Sequence, residues 1–380
     1  MSGLRPSPPT PLPQGEGSQR EFEDKVSASN GPPPEGRAKN AGRESAYSKA
    51  GVSLTAGNLA VSKIAQLVRA TQGPEVLAGV GAFGGLYDAG ALKGMDAPVL
   101  VASTDGVGTK TKVAARLGRW DSIGQDLVNH CVNDILVQGA RPLFFLDYVA
   151  SARLDPDQIA RIVGGVAAAC QGVGCALLGG ETAEMPGVYE PGEVDLVGTI
   201  VGVVDRASII DGSRIQAGDL LLALPSSGLH TNGYSLARRV LDGLDWDSEC
   251  PELGGSLGDA LLAVHRPYGE PVRRSQAAGV DLRGLAHITG GGLIDNLPRI
   301  LPDGVGAVIE RGTWPEPPLF GLIQRTGDIP DDEMFHVFNM GIGMLAVIPA
   351  AQRELALVTL AGEVFLVGEI VAGPKVVTVR

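Results

Sequence analysis

From Tyr47 onward, apolar residues recur with the spacing of helices and of buried strands in alternation. Between residues 60 and 68 they follow the i, i+3, i+4 spacing of an amphipathic helix, which comes after a turn at 56–58 and ends at Gly73-Pro74. The same patterns predict helices at about 122–138 and 155–169, and strands at 98–103, 142–149, 175–179 and 194–204. Strands that alternate with helices in this way indicate an α/β or α+β fold.

A second series of elements comes after the polar turns between residues 205 and 219. It contains a predicted strand at 220–224, a helix that ends near Leu241, a Gly-rich turn at 289–292 that leads into another helix, and strands at 307–310, 343–348 and 364–371. A chain of 380 residues is too long for one ordinary domain. We therefore predict two domains, residues 46–208 and residues 209–380.

Residues 1–45 have a different composition, in which proline, glycine, serine and charged residues dominate and apolar residues are scarce. Such a segment buries too little apolar surface to offset the entropy of ordering it. We predict that this tail is disordered and that a chain beginning at Ser45 keeps its activity.

The charge and cysteine content exclude several classes of protein. The formal net charge is −12 and no segment is rich enough in lysine and arginine to follow a nucleic-acid backbone, so we expect no nucleic-acid partner. No apolar run reaches the length of a membrane helix, and no secretory leader follows Met1. The four cysteines form no Cys-x-x-Cys pair. These features predict a cytoplasmic enzyme with no membrane partner.

Glycine is abundant, with 54 residues, which suggests loops that bring backbone N–H groups close to a ligand. An acidic protein that binds phosphate must use such groups and metal ions. Gly79, Gly81 and Gly84 satisfy the Gly-x-Gly-x-x-Gly pattern, but a helix precedes them and Gly90 interrupts the segment after them, which argues against a dinucleotide fold. An ordinary turn and a flap that covers phosphate both remain open. No lysine directly follows a glycine, so a Walker loop is absent.

Asp105 stands at the end of the strand predicted at 98–103, and Gly106, Gly108, Thr109 and Lys110 come directly after it. A carboxylate beside backbone N–H groups and an ammonium group is typical of a site for Mg²⁺ and phosphate. The alternative is a simple Asp-Gly turn. The end of a strand in an α/β protein is where ligands gather, which favours the functional interpretation.

The helix predicted at 122–138 carries a polar stripe made of Asp126, Asn129, His130, Asn133 and Asp134. Most such stripes are a solvated face. The carboxylate of Asp134, however, lies about one turn from the helix C-terminus, where an anion opposes the helix dipole by roughly 0.3–1 kcal/mol. A bound metal ion would offset that repulsion.

Two further segments carry candidate chemistry. Glu181 and Glu184 come after a short apolar strand, and they are candidates for metal ligands, a general base or solubilising charges. His230 lies in a loop with Ser226, Ser227, Gly228 and Asn232 ahead of a predicted helix, whose N-terminal N–H groups would bind phosphate. An isolated histidine is more often structural.

Taken together, these segments resemble the phosphoribosylformylglycinamidine cyclo-ligase family of purine biosynthesis. The resemblance begins at Tyr47-Ser-Lys-Ala-Gly51 and continues through residues 104–110, 131–134, 144–148, 179–187, 226–235, 289–292 and 338–344. Related families differ in chemistry that the sequence displays. A selenide kinase would need a cysteine in the N-terminal region, but no cysteine precedes Cys131 in this chain. A hydrogenase-maturation dehydratase ends in a cysteine, and this chain does not. Formylglycinamidine synthetases are much longer.

The resemblance implies an ATP-dependent closure of formylglycinamidine ribonucleotide to aminoimidazole ribonucleotide, through an iminophosphate formed on the formyl oxygen, with release of ADP and phosphate. It implies an α/β (α+β) fold of two domains. Residues 46–208 would bind ATP and form a homodimer whose mixed N-terminal sheets pair into a barrel, and residues 209–380 would be an α/β sandwich that binds substrate and phosphate. The cofactors would be ATP and Mg²⁺.

Together with the residue chemistry, the resemblance assigns the site. The catalytic residues would be Asp105, Lys110, Asp134, Glu181 and His230. Nucleotide would be bound by Gly79, Gly81, Gly84, Gly85, Asp105, Gly106, Thr109 and Asp134. Substrate would be bound by Ser226, Ser227, Gly228, His230, Asn232, Gly290 and Gly291. The metal ligands would be Asp105, Asp134 and Glu181. The alternative is a nucleotide-binding scaffold without turnover. Release of ADP in the presence of substrate would distinguish the enzyme from such a scaffold.

Overall fold

The computed structural model describes residues 51–79 and 81–380, so the predicted tail at 1–45 lies outside the described residues. We call residues 51–208 the N-terminal half and residues 209–380 the C-terminal half. Each half contains one mixed β-sheet of four or more strands. The predicted mixed α/β architecture is confirmed.

The N-terminal half consists of helices on one side of a sheet. Its helices are α1 (Leu54–Arg69), α2 (Lys110–Leu117), α3 (Asp121–Leu136) and α4 (Pro156–Val173). Its strands are β1 (Val76–Ala78), β2 (Leu86–Tyr87), β3 (Pro98–Gly106), β4 (Arg141–Ser151), β5 (Ala176–Glu184) and β6 (Val194–Asp205). Short 3₁₀ turns cover Ala89–Gly94 and Arg206–Ser208.

The C-terminal half continues the numbering. Its helices are α5 (Tyr234–Leu241), α6 (Leu257–Leu261), α7 (Gly269–Ala277), α8 (Gly292–Asn296), α9 (Pro318–Gly327), α10 (Asp331–Val337) and α11 (Arg353–Thr359). Its strands are β7 (Leu220–Pro225), β8 (Glu249–Cys250), β9 (Gly255–Ser256), β10 (Gly284–His287), β11 (Val305–Ile309), β12 (Ile342–Ile348), β13 (Phe365–Ala372) and β14 (Val377–Val379). The remaining 3₁₀ turns are Leu297–Ile300 and Ala350–Gln352.

The sheet of the N-terminal half has the strand order β3-β6-β4-β5, with β4 and β5 parallel and the other pairs antiparallel. Helices α3 and α4 pack against each other at two glycines. A Cβ atom on Gly124 would lie 2.0 Å from the carbonyl oxygen of Ile162, and one on Gly165 would lie 2.6 Å from that of Asp121. Only glycine allows the two backbones to approach this closely.

The sheet of the C-terminal half has the order β10-β12-β7-β13-β11-β14, in which only β11 and β14 are parallel. All seven residues of β12 are buried, as expected for a strand covered on both faces. Strand β10 lies at one edge and ends at His287. In the described part of the chain, no helix combines the length and the apolar character that crossing a membrane requires.

Several predicted element boundaries were wrong for identifiable reasons. Helix α1 begins at Leu54, ahead of the turn predicted at 56–58, because the Ser53 side chain caps it by accepting from the Ala56 N–H at 3.2 Å. Strand β5 continues to Glu184 rather than stopping at Gly179, because parallel pairing with β4 continues as far as Ser151. Glu181 therefore lies within a strand and not in a loop.

Candidate active site

A cavity of about 740 Å³ lies between the two halves. The N-terminal half contributes Asp105, His130 and Asp134 to its wall, and the C-terminal half contributes His287, Thr289, Asn296 and Arg299. Asp105 stands near the end of β3 and Asp134 in the last turn of α3. The two carboxylates that the sequence singled out thus share one cavity.

Imidazole groups hold both carboxylates. The Nε2 atom of His130 lies 2.8 Å from Oδ2 of Asp105 and 3.7 Å from Oδ2 of Asp134. The Nδ1 atom of His287 lies 2.8 Å from Oδ1 of Asp134, and the Ser103 hydroxyl donates to Oδ2 of Asp134 at 3.2 Å. These contacts offset the repulsion between the Asp134 carboxylate and the helix dipole.

Both carboxyl groups stay ionised. Burial opposes ionisation of Asp105, but the hydrogen bond and charge of His130 outweigh it and lower the pKa of Asp105. For Asp134, burial is likewise outweighed by the hydrogen bond from His287 and the charge of His130, and its pKa is lowered too. Burial also disfavours the charged form of His130, yet its hydrogen bond to Asp105 raises the pKa of this imidazole.

Four of the five histidines of the chain form one buried cluster: His130, His230, His265 and His287. The Nε2 atoms of His265 and His287 are 3.0 Å apart, and the ring of His230 stacks on that of His265 with centroids at 3.9 Å. The Thr231 hydroxyl lies 2.7 Å from Nδ1 of His130. Burial lowers the pKa values of His230, His265 and His287, so these three rings are neutral.

The polar stripe of α3 is not a solvated face, because Asp126, Asn129 and Asn133 are buried against residues 263–268 of the C-terminal half. Asp126 accepts the backbone N–H of His265 at 2.7 Å. Asn129 donates to the backbone carbonyl of His265 at 2.7 Å, and Asn133 accepts from the N–H of Tyr268 at 3.0 Å. One helix face therefore joins the two halves of the molecule.

Lys110 does not reach the cavity wall, and this corrects the expectation that its ammonium group contacts phosphate. Its side chain is 0% exposed, and Nζ lies 2.8 Å from Oδ2 of Asp126. The same atom donates to the carbonyl oxygens of His230 at 3.1 Å and of Ala263 at 2.7 Å. Three acceptors occupy the three N–H groups of the ammonium, so none is left for a ligand.

In the loop predicted to bind phosphate, residues 226–233, several polar groups are hydrogen-bonded within the protein, whereas Nδ1 of the buried His230 has no hydrogen-bond partner among the described residues. The Ser226 hydroxyl donates to Asn339 at 3.0 Å, and the Ser227 hydroxyl donates to the carbonyl of Val264. The Ser227 N–H donates to Nε2 of His230 at 3.2 Å. None of the residues of this loop lines the cavity, Gly228 and Asn232 included.

Glu181 is not brought to the other two predicted metal ligands. Asp105 pairs with Gly198 of β6, Gly198 with Asp147 of β4, and Asp147 with Gly180 of β5. The two carboxylate-bearing strands are therefore three strand spacings of about 4.8 Å apart, or about 14 Å. Within one chain, Glu181 cannot share a metal ion with Asp105.

The remaining predicted glycine positions fall in three places. Gly79, Gly81, Gly84 and Gly85 lie in the connection between β1 and β2, away from the cavity wall. Gly106 donates its N–H to Oδ1 of Asp105 at 2.7 Å, and the Thr109 hydroxyl lies 3.2 Å from that of Ser235. Gly290 and Gly291 come directly after Thr289 of the cavity wall, and Gly291 has a φ of +94°.

Sequence reasoning did not single out His265, His287 or Arg299. The available signal was weak: only five histidines occur in the chain, and His287 stands two residues before the Gly-rich turn at 289–292. Their contacts with α3 and with the cavity depend on the way the two halves meet.

Comparison with known proteins identifies the family. The model described as "AIR synthase related protein, N-terminal domain" matches residues 87–204, and the one described as "AIR synthase related protein, C-terminal domain" matches residues 216–380. The chain is 52% identical over 310 residues to the phosphoribosylformylglycinamidine cyclo-ligase of Gloeobacter violaceus, covering 81% of this chain and 91% of that protein. It is 51% identical over 327 residues to that of Desulfitobacterium hafniense, covering 85% and 96%. The chain belongs to the phosphoribosylformylglycinamidine cyclo-ligase family.

Two solved structures of other proteins have the same fold. A thiamine-monophosphate kinase from Stenotrophomonas maltophilia superposes with a TM-score of 0.62 at 21% identity, covering 84% of this chain and 96% of that one. The hydrogenase maturation protein HypE in complex with ATP superposes with a TM-score of 0.61 at 18% identity, covering 84% and 90%. At these identities the likeness establishes the fold alone. The cyclo-ligase resemblance found in the sequence is confirmed by the family models and the curated relatives.

Proposed function

We infer that this protein is an ATP-dependent cyclo-ligase that converts formylglycinamidine ribonucleotide to aminoimidazole ribonucleotide, with release of ADP and phosphate. This conclusion rests on membership of the cyclo-ligase family. About half of the residues are identical to those of the curated relatives over most of the chain. The γ-phosphoryl group of ATP passes to the formyl oxygen and makes an iminophosphate. The ribosyl-bearing nitrogen then attacks the same carbon, loses its proton, and expels the oxygen as phosphate.

The cavity suits this chemistry because phosphoryl transfer needs positioning and neutralised charge more than a covalent nucleophile. Asp105 and Asp134 fit a Mg²⁺ ion: they are ionised carboxylates, and they offer oxygens that lie, with a nitrogen of His130, within 4.8 Å of one another. When bound, Mg²⁺ would neutralise phosphate oxygens. His130 and His287 hold the two carboxylates in place by hydrogen bonds. Glu181 has no part in this site within one chain.

We also propose that the protein forms a homodimer through its N-terminal sheet. The face of that sheet opposite α3 and α4 leaves Leu100 63% exposed and Leu146 36% exposed. A second copy of the same face would cover these side chains. A barrel closed by two such sheets is the arrangement that the resemblance implies. A cytoplasmic location stays a prediction from the sequence.

The direct test combines the purified protein with formylglycinamidine ribonucleotide, ATP and Mg²⁺. We expect aminoimidazole ribonucleotide, ADP and phosphate in equal amounts. ATP binding without ADP release in the presence of substrate would instead support a scaffold without turnover.

The metal assignment predicts that Asp105→Asn and Asp134→Asn each lower turnover by orders of magnitude, because the volume is kept and the charge is lost. The melting temperature should stay near that of the wild type. Asp303→Asn is the control, since that side chain is exposed and does not line the cavity. Near-normal turnover of Asp134→Asn would contradict the assignment.

A further inference from the structure

Arg299 is the only lysine or arginine on the wall of the cavity within residues 51–79 and 81–380. The other charged side chains there are the carboxylates of Asp105, Asp134 and Asp211. Arg299 belongs to the C-terminal half, whereas the two carboxylates that fit a metal ion belong to the N-terminal half. Two of the three carboxylates therefore lie on the N-terminal half, whereas Asp211 and the one guanidinium group lie on the C-terminal half.

The guanidinium group of Arg299 is largely uncommitted. No carboxylate of the described chain lies within ion-pair distance of it, and its one hydrogen bond there runs from Nη1 to Oδ1 of Asn296 at 3.3 Å. A guanidinium carries five N–H donors, so most remain free for a ligand. Its side chain is exposed to the cavity rather than folded onto a protein anion.

The Asn296 side chain is hydrogen-bonded both to Arg299 and to the Gly-rich turn at 289–292. The Asn296 side chain is 3% exposed, and its Nδ2 donates to the carbonyl oxygens of Gly290 at 3.1 Å and of Gly292 at 2.8 Å. Its Oδ1 accepts from the Thr289 hydroxyl at 3.2 Å as well as from Arg299. A buried amide therefore holds a hydroxyl and a guanidinium on the same wall of the cavity.

We propose that Arg299, with Thr289 beside it, binds the 5′-phosphate of the ribonucleotide substrate. This inference rests on the proposed function, which supplies a substrate with a phosphate monoester at one end and a reacting formyl group at the other. The monoester dianion is repelled by Asp105 and Asp134 and attracted to a free guanidinium, which binds phosphate oxygens in pairs. In the loop at 226–233, the other candidate for this phosphate, the hydroxyl groups of Ser226 and Ser227 are hydrogen-bonded within the protein, and no residue of the loop lines the cavity.

The experiment compares Arg299→Met, which removes the charge, with Arg299→Lys, which keeps it. Binding of formylglycinamidine ribonucleotide alone and of ATP with Mg²⁺ alone is measured by calorimetry on the full chain, and KM is measured for each substrate. We expect Arg299→Met to weaken binding of the ribonucleotide and to raise its KM by roughly 10- to 100-fold, the effect of losing hydrogen bonds to a charged group. Arg299→Lys should recover part of the loss, and the ATP values should change less than about threefold.

Arg206→Met is the matched control, because Arg206 is also exposed, lies in a 3₁₀ turn and does not line the cavity. It should bind both substrates as the wild type does. If Arg299→Met folds poorly, Thr289→Val provides a second variant. We expect it to raise the KM for the ribonucleotide by a smaller factor.

The outcomes separate the two proposals. An active wild type whose Arg299→Met variant binds the ribonucleotide normally would overturn the phosphate site and leave the proposed function intact. A variant that loses affinity for ATP instead would show that the guanidinium binds the nucleotide, which also overturns it. A wild type that does not convert the ribonucleotide would contradict the proposed function itself.

Discussion

The buried position of the His230 ring depends on an unusual backbone conformation. His230 has a φ of +61°, which is uncommon for a residue with a side chain, and its ring is buried beside His265. Gly343 makes room for it, because a Cβ atom there would lie 2.6 Å from Cε1 of His230. The structure thus favours a structural role for His230, and its predicted role as a hydrogen-bond donor to phosphate or a proton shuttle stays a hypothesis.

At the residue scale we predict that His230→Asn preserves the fold better than His230→Ala. Asparagine tolerates positive φ and keeps an oxygen that can accept the Ser227 N–H, whereas alanine in this conformation costs about 1–2 kcal/mol and leaves that donor unpaired. The melting temperature, followed by calorimetry, should fall by several degrees more for the alanine variant. Equal melting temperatures would show that neither the hydrogen bond nor the backbone conformation matters.

Helix α3 is the element that joins the two halves. Its apolar side packs under the N-terminal sheet, and its polar side binds the backbone of residues 263–268 through Asp126, Asn129 and Asn133. The buried pair of Lys110 and Asp126 extends this contact to the carbonyls of His230 and Ala263. Both sides of the helix are therefore interior, which the amphipathic pattern alone does not reveal.

At this scale we predict that Lys110→Met and Asp126→Leu each destabilise the protein by about 3–5 kcal/mol, because each leaves a buried charge without its partner. The double variant should lose less stability than the sum of the two, since it leaves no isolated charge. Urea unfolding of the three variants measures this coupling. Strict additivity would mean that the two side chains do not interact.

At the scale of the whole molecule, the exposed face of the N-terminal sheet is the surface at which we propose that a second copy binds. Strand β3 lies at the edge of that sheet and carries Leu100 on the uncovered face. A large apolar side chain exposed on a sheet is unfavourable in water, so association with a second copy would stabilise it.

We predict that Leu100→Glu converts the proposed dimer to a monomer, because the pairing of two such faces would bury the added charges. Light scattering coupled to gel filtration gives the mass directly. Val358→Glu is the control: Val358 is 75% exposed on α11 and should leave the mass unchanged. A dimeric Leu100→Glu protein would place the interface elsewhere.

The sequence by itself determined the order and type of the main elements and the family, and it singled out Asp105 and Asp134, which the structure places in one cavity. These depend on local periodicity and on residues that stand close together in the chain. Only the tertiary structure decided which distant residues meet: His287 reaches Asp134 across 153 positions, and Lys110 turns away from the cavity to contact the loop at His230. Local patterns hold no information on how two sheets pack. The burial of α3 between the two halves therefore determines which groups its polar side chains contact.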